Sequence, residues 1–224
     1  MNSVGRNIDE VKSGLHEGVR LVAVSKYQPI EALQNAYDAG QRIFGESHAQ
    51  ELKAKEQVLP KDIEWHFIGH LQTNKIKYIA PFVALIHSVD SLKLLKEINK
   101  HAEKNGRTIG CLLQIHIAEE ETKFGLNEDE LTSLLESEEY KELRNIRIDG
   151  LMCMATNTDD EEQIRQEFRQ VKSMFDRIKT RFFANAEYFK ELSMGMSDDY
   201  HIAMQEGSTL VRVGSKIFGL RNYA

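Results

Sequence analysis

Two cysteines and three prolines in 224 residues remove several classes of protein from consideration. A disulfide-stapled secreted domain needs a dense cysteine framework. Cys111 and Cys153 instead sit in the apolar runs CLLQIHIA and GLMCMA, where a thiol acts as a small buried hydrophobe. The shortage of proline excludes an extended proline-rich chain. No apolar run approaches the roughly 18 residues of a membrane helix, and the N-terminal MNSVGRNIDEVKSGLHEGVR is charged throughout, without a signal-peptide core. Positive charge is in deficit: 29 Lys and Arg stand against 35 Asp and Glu, a formal net charge of -6. A phosphate backbone selects the opposite balance. Neither a P-loop nor a post-strand GxGxxG occurs, so nucleotide binding has no motif to rest on. The expectation is a cytoplasmic chain with neither nucleic acid nor membrane as partner.

What the chain does have is a rhythm. Short apolar runs read as strands at 21–25, 42–46, 64–69, 84–89, 111–118, 148–155, 191–197 and 210–219, with amphipathic helical stretches between them. Pro29 opens the first of those stretches and Gly40 follows it, the expected helix punctuation. Eight such units without a Gly/Ser-rich or Pro-rich linker favour an α/β fold, a single (β/α)8 TIM-type barrel over 1–224, above a doubly wound open sheet.

A parallel barrel gathers its functional residues at the C-terminal ends of the strands. Lys26, in LVAVSKYQP, stands at such an end, and the same test selects Glu46, His70, Asp90, Met154 and Thr156. A lysine there is a solvated amine, a Schiff-base amine, a general base or a phosphate counter-ion. Two turns near the C-terminus suit an anion. In LVRVGSKIFG, Gly214 and Ser215 follow an apolar strand, where backbone N–H groups can approach a phosphate. In SMGMSDDY, Ser197 is the expected N-cap of a short helix. A strand bulge at Gly214 and a plain cap at Ser197 explain each turn taken alone, and Asp198 and Asp199 would repel a phosphate unless they turn away. His66 and His70 are four apart, a zinc spacing only on a helix, and EWHFIGHL reads as strand and glycine turn, so no metal is expected. Cys111 and His116 read as core, and Tyr200 and Met204 as core or pocket lining.

The ordered motifs VAVSKYQP, RIFGESHAQE, WHFIGHLQTNK, HSVDS, ETKFG, GLMCMA, LSMGMSDD and VRVGSKIFG, from about residue 20 to 220, resemble the signatures of the pyridoxal phosphate homeostasis protein family. The resemblance implies a fold type III cofactor barrel like the N-terminal domain of alanine racemase. It implies pyridoxal 5′-phosphate (PLP, the vitamin B6 cofactor) held as an internal aldimine on Lys26. Ser193, Ser197, Gly214 and Ser215 match the phosphate cup, and Arg212 matches the arginine facing the pyridine nitrogen. Three positions depart from the pattern. GES replaces the frequent GEN, which puts Ser47 in place of an amide; His48 follows it; and Lys216 stands where a small residue is frequent.

On that resemblance the expected function is intracellular PLP homeostasis, as binding, buffering or delivery to PLP-dependent apo-enzymes, by a monomer rather than an obligate oligomer. An arginine beside the pyridine nitrogen keeps that nitrogen unprotonated and weakens the ring as an electron sink. A two-base racemase draws its second base from a β-domain after the barrel, and this sequence stops at Ala224, after the eighth strand. The chain is therefore expected to lack catalytic residues and enzyme-like turnover. An amino acid racemase-like enzyme is the alternative.

Overall fold

The computed structural model describes residues 2–117 and 124–219. Eight parallel strands follow one another around a closed barrel: β1 (Arg20–Val24), β2 (Ile43–Glu46), β3 (Glu64–Phe67), β4 (Leu85–Val89), β5 (Ile109–Gln114), β6 (Ile146–Met152), β7 (Glu191–Ser193) and β8 (Leu210–Val213). Closure is made by β1 on β8, which aligns Val22 with Arg212 and Ala23 with Val213. The open-sheet alternative is thereby removed.

The alternation of each strand sorts its side chains between two compartments. Val22, Leu85, Leu112, Met152 and Leu210 form a small cluster inside the barrel. The larger core lies outside it, where Leu21, Ala23, Phe44, Trp65 and Ile86 meet the helices. Helices α2 (Ile30–Asp38), α3 (Ala49–Val58), α4 (Ile76–Ile79), α5 (Leu92–Lys104), α6 (Glu128–Glu136), α8 (Glu161–Phe182) and α9 (Tyr200–Gln205) occupy the expected amphipathic stretches. Their starts are chemically marked. Ser91 caps α5, Asp160 caps α8, and Asn127 with Glu130 forms a capping box on α6.

Several boundaries differ from the sequence expectation. The first helix, α1 (Ser3–Ser13), buries Ile8 and Val11 beneath a charged exterior. The last predicted strand stops at Val213, and residues expected to extend it form α10 (Ser215–Phe218). These two helices pack against each other, with Asn7 Nδ2 donating to the Ile217 carbonyl at 2.8 Å. A short α7 (Glu138–Lys141) was also unanticipated. The fifth strand leaves the ladder after Gln114, and Ile115 bridges to Leu126 instead. The end of that predicted strand, Ala118, and Glu121 to Lys123 of the ETKFG motif lie outside the described residues. No helix among the described residues is long and apolar enough to cross a membrane.

Candidate functional site

The C-terminal mouth is built by three turns. The first follows β1. Lys26 sits two residues past the end of the strand, half-buried, and the next residue, Tyr27, has φ 65°. A bulky side chain in the left-handed region is strained unless its surroundings hold it there. Here they do. The Tyr27 backbone N–H donates to Glu51 Oε1 at 2.7 Å, and its hydroxyl lies 3.3 Å from His48 Nε2.

Behind this turn lies a buried ionic cluster. Lys55 of α3 donates to the Ser25 carbonyl at 2.7 Å, to Glu46 Oε1 at 2.8 Å and to Glu51 Oε1 at 2.7 Å, while the Ser25 hydroxyl donates to Glu46 Oε1 at 2.6 Å. Glu46 therefore does not reach the mouth, as its strand-end position suggested. It faces outward beneath α3, because β2 turns its alternate side chains toward the helix layer. Burial pushes its carboxyl up to about 7 against the attraction of Lys55, and its Oε2 has no hydrogen-bond partner among the described residues.

The second turn follows β7. The strand ends at Ser193 because Gly195 adopts φ 89°, and a Cβ there would lie 2.6 Å from the Ala203 Cβ and 2.8 Å from the Tyr200 Cα. Only glycine fits. Ser197 is not the N-cap of α9: that position is Asp199, whose side chain accepts from the Met196 N–H at 2.5 Å. This places the Asp199 carboxylate inside its own turn, and Asp198 is exposed.

The third turn follows β8. The Gly214 N–H donates to Ser197 Oγ at 3.2 Å, which joins the second and third turns across 17 residues. A Cβ on Gly214 would lie 3.1 Å from the Val24 carbonyl oxygen, so the lack of a side chain lets this turn abut the end of β1, two residues before Lys26. Ser215 opens α10 and is exposed. Lys216 is exposed too, its ammonium 4.9 Å from the centre of the Tyr200 ring.

Ser193 and Arg212 lie deeper. Arg212 is buried in β8, and its Nη1 donates to the Ser193 carbonyl at 2.9 Å and to Ser193 Oγ at 2.5 Å, while Nη2 donates to the Cys153 carbonyl at 2.9 Å. Ser193 is completely buried and its hydroxyl is occupied by Arg212 and by His87. It thus stands apart from the Ser197–Gly214 pair with which the sequence grouped it, since its position in β7 aims it into the barrel.

The remaining candidates scatter. His70 is at the rim, stacked on Phe124 with ring centres 4.1 Å apart and 3.7 Å from Asp90, whereas His66 is inside the barrel. Thr156 donates through its N–H and hydroxyl to Glu167 of α8, at 2.7 and 2.6 Å. Met154 packs on the interior cluster, and Tyr200 and Met204 belong to the outer core. Both thiols are buried and outside any disulfide among the described residues, and burial raises that of Cys111. Ser47 is half-buried beside Gly69, where a Cβ would strike its backbone.

A cavity of about 810 Å³ opens at the opposite end of the barrel. Its charges are mostly neutralised within the wall: Arg20 pairs with Glu191 at 2.7 Å and Arg147 with Asp149 at 2.5 Å. Size alone does not make it the reactive end, because a parallel barrel gathers its functional residues at the C-terminal ends of the strands, where Lys26, Ser197 and Gly214 stand.

Residues 1–222 match the protein family described as alanine racemase, N-terminal domain. The pyridoxal phosphate homeostasis protein of Helicobacter pylori is 42% identical over 205 residues, 91% of this chain and 88% of the relative. That of Escherichia coli K12 is 35% identical over 240 residues, covering 100% and 99%. The chain belongs to the pyridoxal phosphate homeostasis protein family. Solved structures agree: PipY of Synechococcus elongatus, determined with PLP bound, superposes with a TM-score of 0.87 at 33% identity over 96% of this chain and 100% of its own. An alanine racemase from Bartonella henselae shares only the fold, with a TM-score of 0.72 at 15% identity, and this chain covers 59% of it.

Proposed function

We propose that the protein binds PLP at the C-terminal mouth and serves intracellular PLP homeostasis, without turning over amino acids at an enzyme-like rate. One observation carries the reading. The Ser197–Gly214 contact joins the turns after β7 and β8, and Gly214 abuts the end of β1 two residues before Lys26, which supports a reading in which the Lys26 amine, Ser197, Gly214 and Arg212 serve one ligand at the C-terminal end of the barrel. That donor set fits the cofactor's chemistry. Lys26 is the amine that bonds its aldehyde. Ser197 with Gly214 and Ser215 holds its phosphate, and Arg212 donates to its ring nitrogen. When bound, PLP supplies an electrophilic carbonyl and an electron-withdrawing ring.

Arg212 argues for a carrier role. A cation fixed as a donor beside the ring nitrogen opposes protonation of that nitrogen, and the ring is then a poor electron sink. The names of the relatives support the same role for this chain, and cytoplasmic residence, a monomeric state and delivery to apo-enzymes are proposed as its working context. Thr156, Glu46 and Ser47 are not assigned to the site.

Titration of cofactor-free protein with PLP and with pyridoxal tests the phosphate site. Charge-assisted hydrogen bonds predict affinity for pyridoxal about a hundredfold weaker or more. Equal affinities would remove the phosphate site from the reading. Turnover of any amino acid at about 1 per second, lost in Lys26→Ala, would replace the carrier role with an enzyme.

A further inference from the structure

A single file of hydrogen-bonded side chains crosses the barrel interior from one mouth to the other. It begins at Glu64, half-exposed in the wall of the large cavity. Glu64 Oε1 lies 2.9 Å from His66 Nε2, His66 Nδ1 lies 2.9 Å from His87 Nε2, and His87 Nδ1 lies 2.9 Å from Ser193 Oγ. Ser193 Oγ in turn accepts from Arg212. Four of the five residues are buried, and the two imidazoles are completely so.

The chemistry of the two ends fixes every proton between them. Arginine can only donate and a carboxylate can only accept. The Glu64 carboxylate must accept from His66 Nε2, so a neutral His66 accepts at Nδ1 from His87 Nε2, and a neutral His87 accepts at Nδ1 from the Ser193 hydroxyl, whose oxygen accepts from Arg212. Both rings therefore carry their proton on Nε2. The reverse direction would set a bare imidazole nitrogen against a bare carboxylate. Burial favours the neutral form of both rings, which agrees with this assignment. The charges facing the pair are Glu64, Glu191, Arg20 and Arg212.

We propose that Glu64, His66, His87 and Ser193 form a one-way relay that holds Arg212 oriented toward the ring nitrogen of PLP, making His87 and Ser193 positioning residues for a cofactor that His87 does not touch. The inference rests on the PLP reading above. It explains two features that reading leaves over: a pair of neutral histidines in the middle of an otherwise apolar barrel, and a serine that matches the phosphate motif yet is turned inward. Networks in which each member polarises the next are stiffer than isolated pairs, and a partly satisfied one would be costly here. The relay also separates the Arg212 cation from its Glu64 counter-charge by the depth of the barrel, while the carboxylate that acts on the guanidinium, Asp199, is tied to the Met196 N–H.

Histidine nitrogen NMR on cofactor-free protein reads the relay without PLP. At neutral pH both His66 and His87 should show the neutral Nε2–H tautomer; a protonated ring, or the Nδ1–H tautomer in either, overturns the assignment. Ser193→Ala and His87→Phe then test the reach of the relay. Each should weaken PLP about 3- to 10-fold and move the pH midpoint of the bound cofactor's visible absorbance by about half a unit or more. The double variant should do no more than either single, because the substitutions break one file. A purely structural role would lower the melting temperature and leave that midpoint in place, and an unchanged midpoint in folded Ser193→Ala overturns the proposal even if His87→Phe does not fold. If the unaltered protein took up no PLP, the cofactor reading would fall along with the role given to Arg212, while the tautomers would still report whether the file exists.

Discussion

Two buried polar clusters flank the mouth, and they solve burial in opposite ways. The inner one, Glu64–His66–His87–Ser193–Arg212, passes hydrogen bonds through neutral groups and puts its charges at the ends. The outer one, Ser25–Glu46–Lys55–Glu51, packs one cation between two carboxylates under α3 and leaves Glu46 Oε2 without a hydrogen-bond partner among the described residues. The inner arrangement fixes direction at little electrostatic cost. The outer one fixes the Lys26 turn through ion pairs, and its desolvation is compensated only while Lys55 is present.

The largest way to break the comparison is to remove that cation. Lys55→Met leaves Glu46 and the Ser25 carbonyl buried without their donor. Losing one partner of a buried pair costs about 3–5 kcal/mol, a fall in Tm on the order of 10 °C for a chain of this size, measured by calorimetry. The Tyr27 turn should loosen as well. A change below about 2 °C would mean that the cluster does not hold the turn.

Titration sharpens the contrast, because the clusters respond to acid with opposite signs. Glu46 has a folded value of about 7 against 4.5 for the ordinary carboxyl, so the native state keeps a proton that the unfolded chain gives up between these values. Its contribution is fully present below pH 4.5 and is lost as pH rises through 7. The two inner histidines are lowered from 6.5 by burial. The unfolded chain takes up protons below that value while the native one resists, so their contribution is lost as pH falls below 6.5. In the unaltered protein the two slopes oppose each other between pH 4.5 and 6.5. Glu46→Gln should therefore make urea stability fall more steeply from pH 6.5 to 5, by up to about 1.4 kcal/mol per pH unit. Parallel curves for the two proteins would contradict the assignment.

The smallest expected effect is at the rim. Lys216→Ala removes an exposed cation from above the Tyr200 ring and should cost about 0.5 kcal/mol of stability and less than about threefold in PLP affinity. A loss as large as that of Lys55→Met would make Lys216 part of the phosphate site.

Much of this architecture was legible as pattern. The alternation of apolar runs with amphipathic ones located all eight strands, because period 2 and period 3.6 cannot be satisfied together. The end of β1 put Lys26 at the mouth by the same logic. What failed were inferences that need side-chain direction across elements. Glu46 stands at a strand end as Lys26 does, yet its side chain faces α3, and no local signal in the sequence shows that. Ser193 and Ser197 share a motif, but the φ of Gly195 turns one inward. The spacing of Val4, Ile8 and Val11 did carry the signal for α1 beneath its charges. The inner file was hidden because its members come from four strands, each contributing one or two polar residues to an apolar run.

The central claim is that Lys26 carries PLP at the mouth these turns build. Borohydride reduction of protein loaded with PLP, followed by peptide mapping, tests it most directly. The account predicts one tagged peptide, bearing the cofactor on Lys26, and no tag in Lys26→Ala. A tag on Lys75 or Lys216 in the unaltered protein, or none at all, would contradict it.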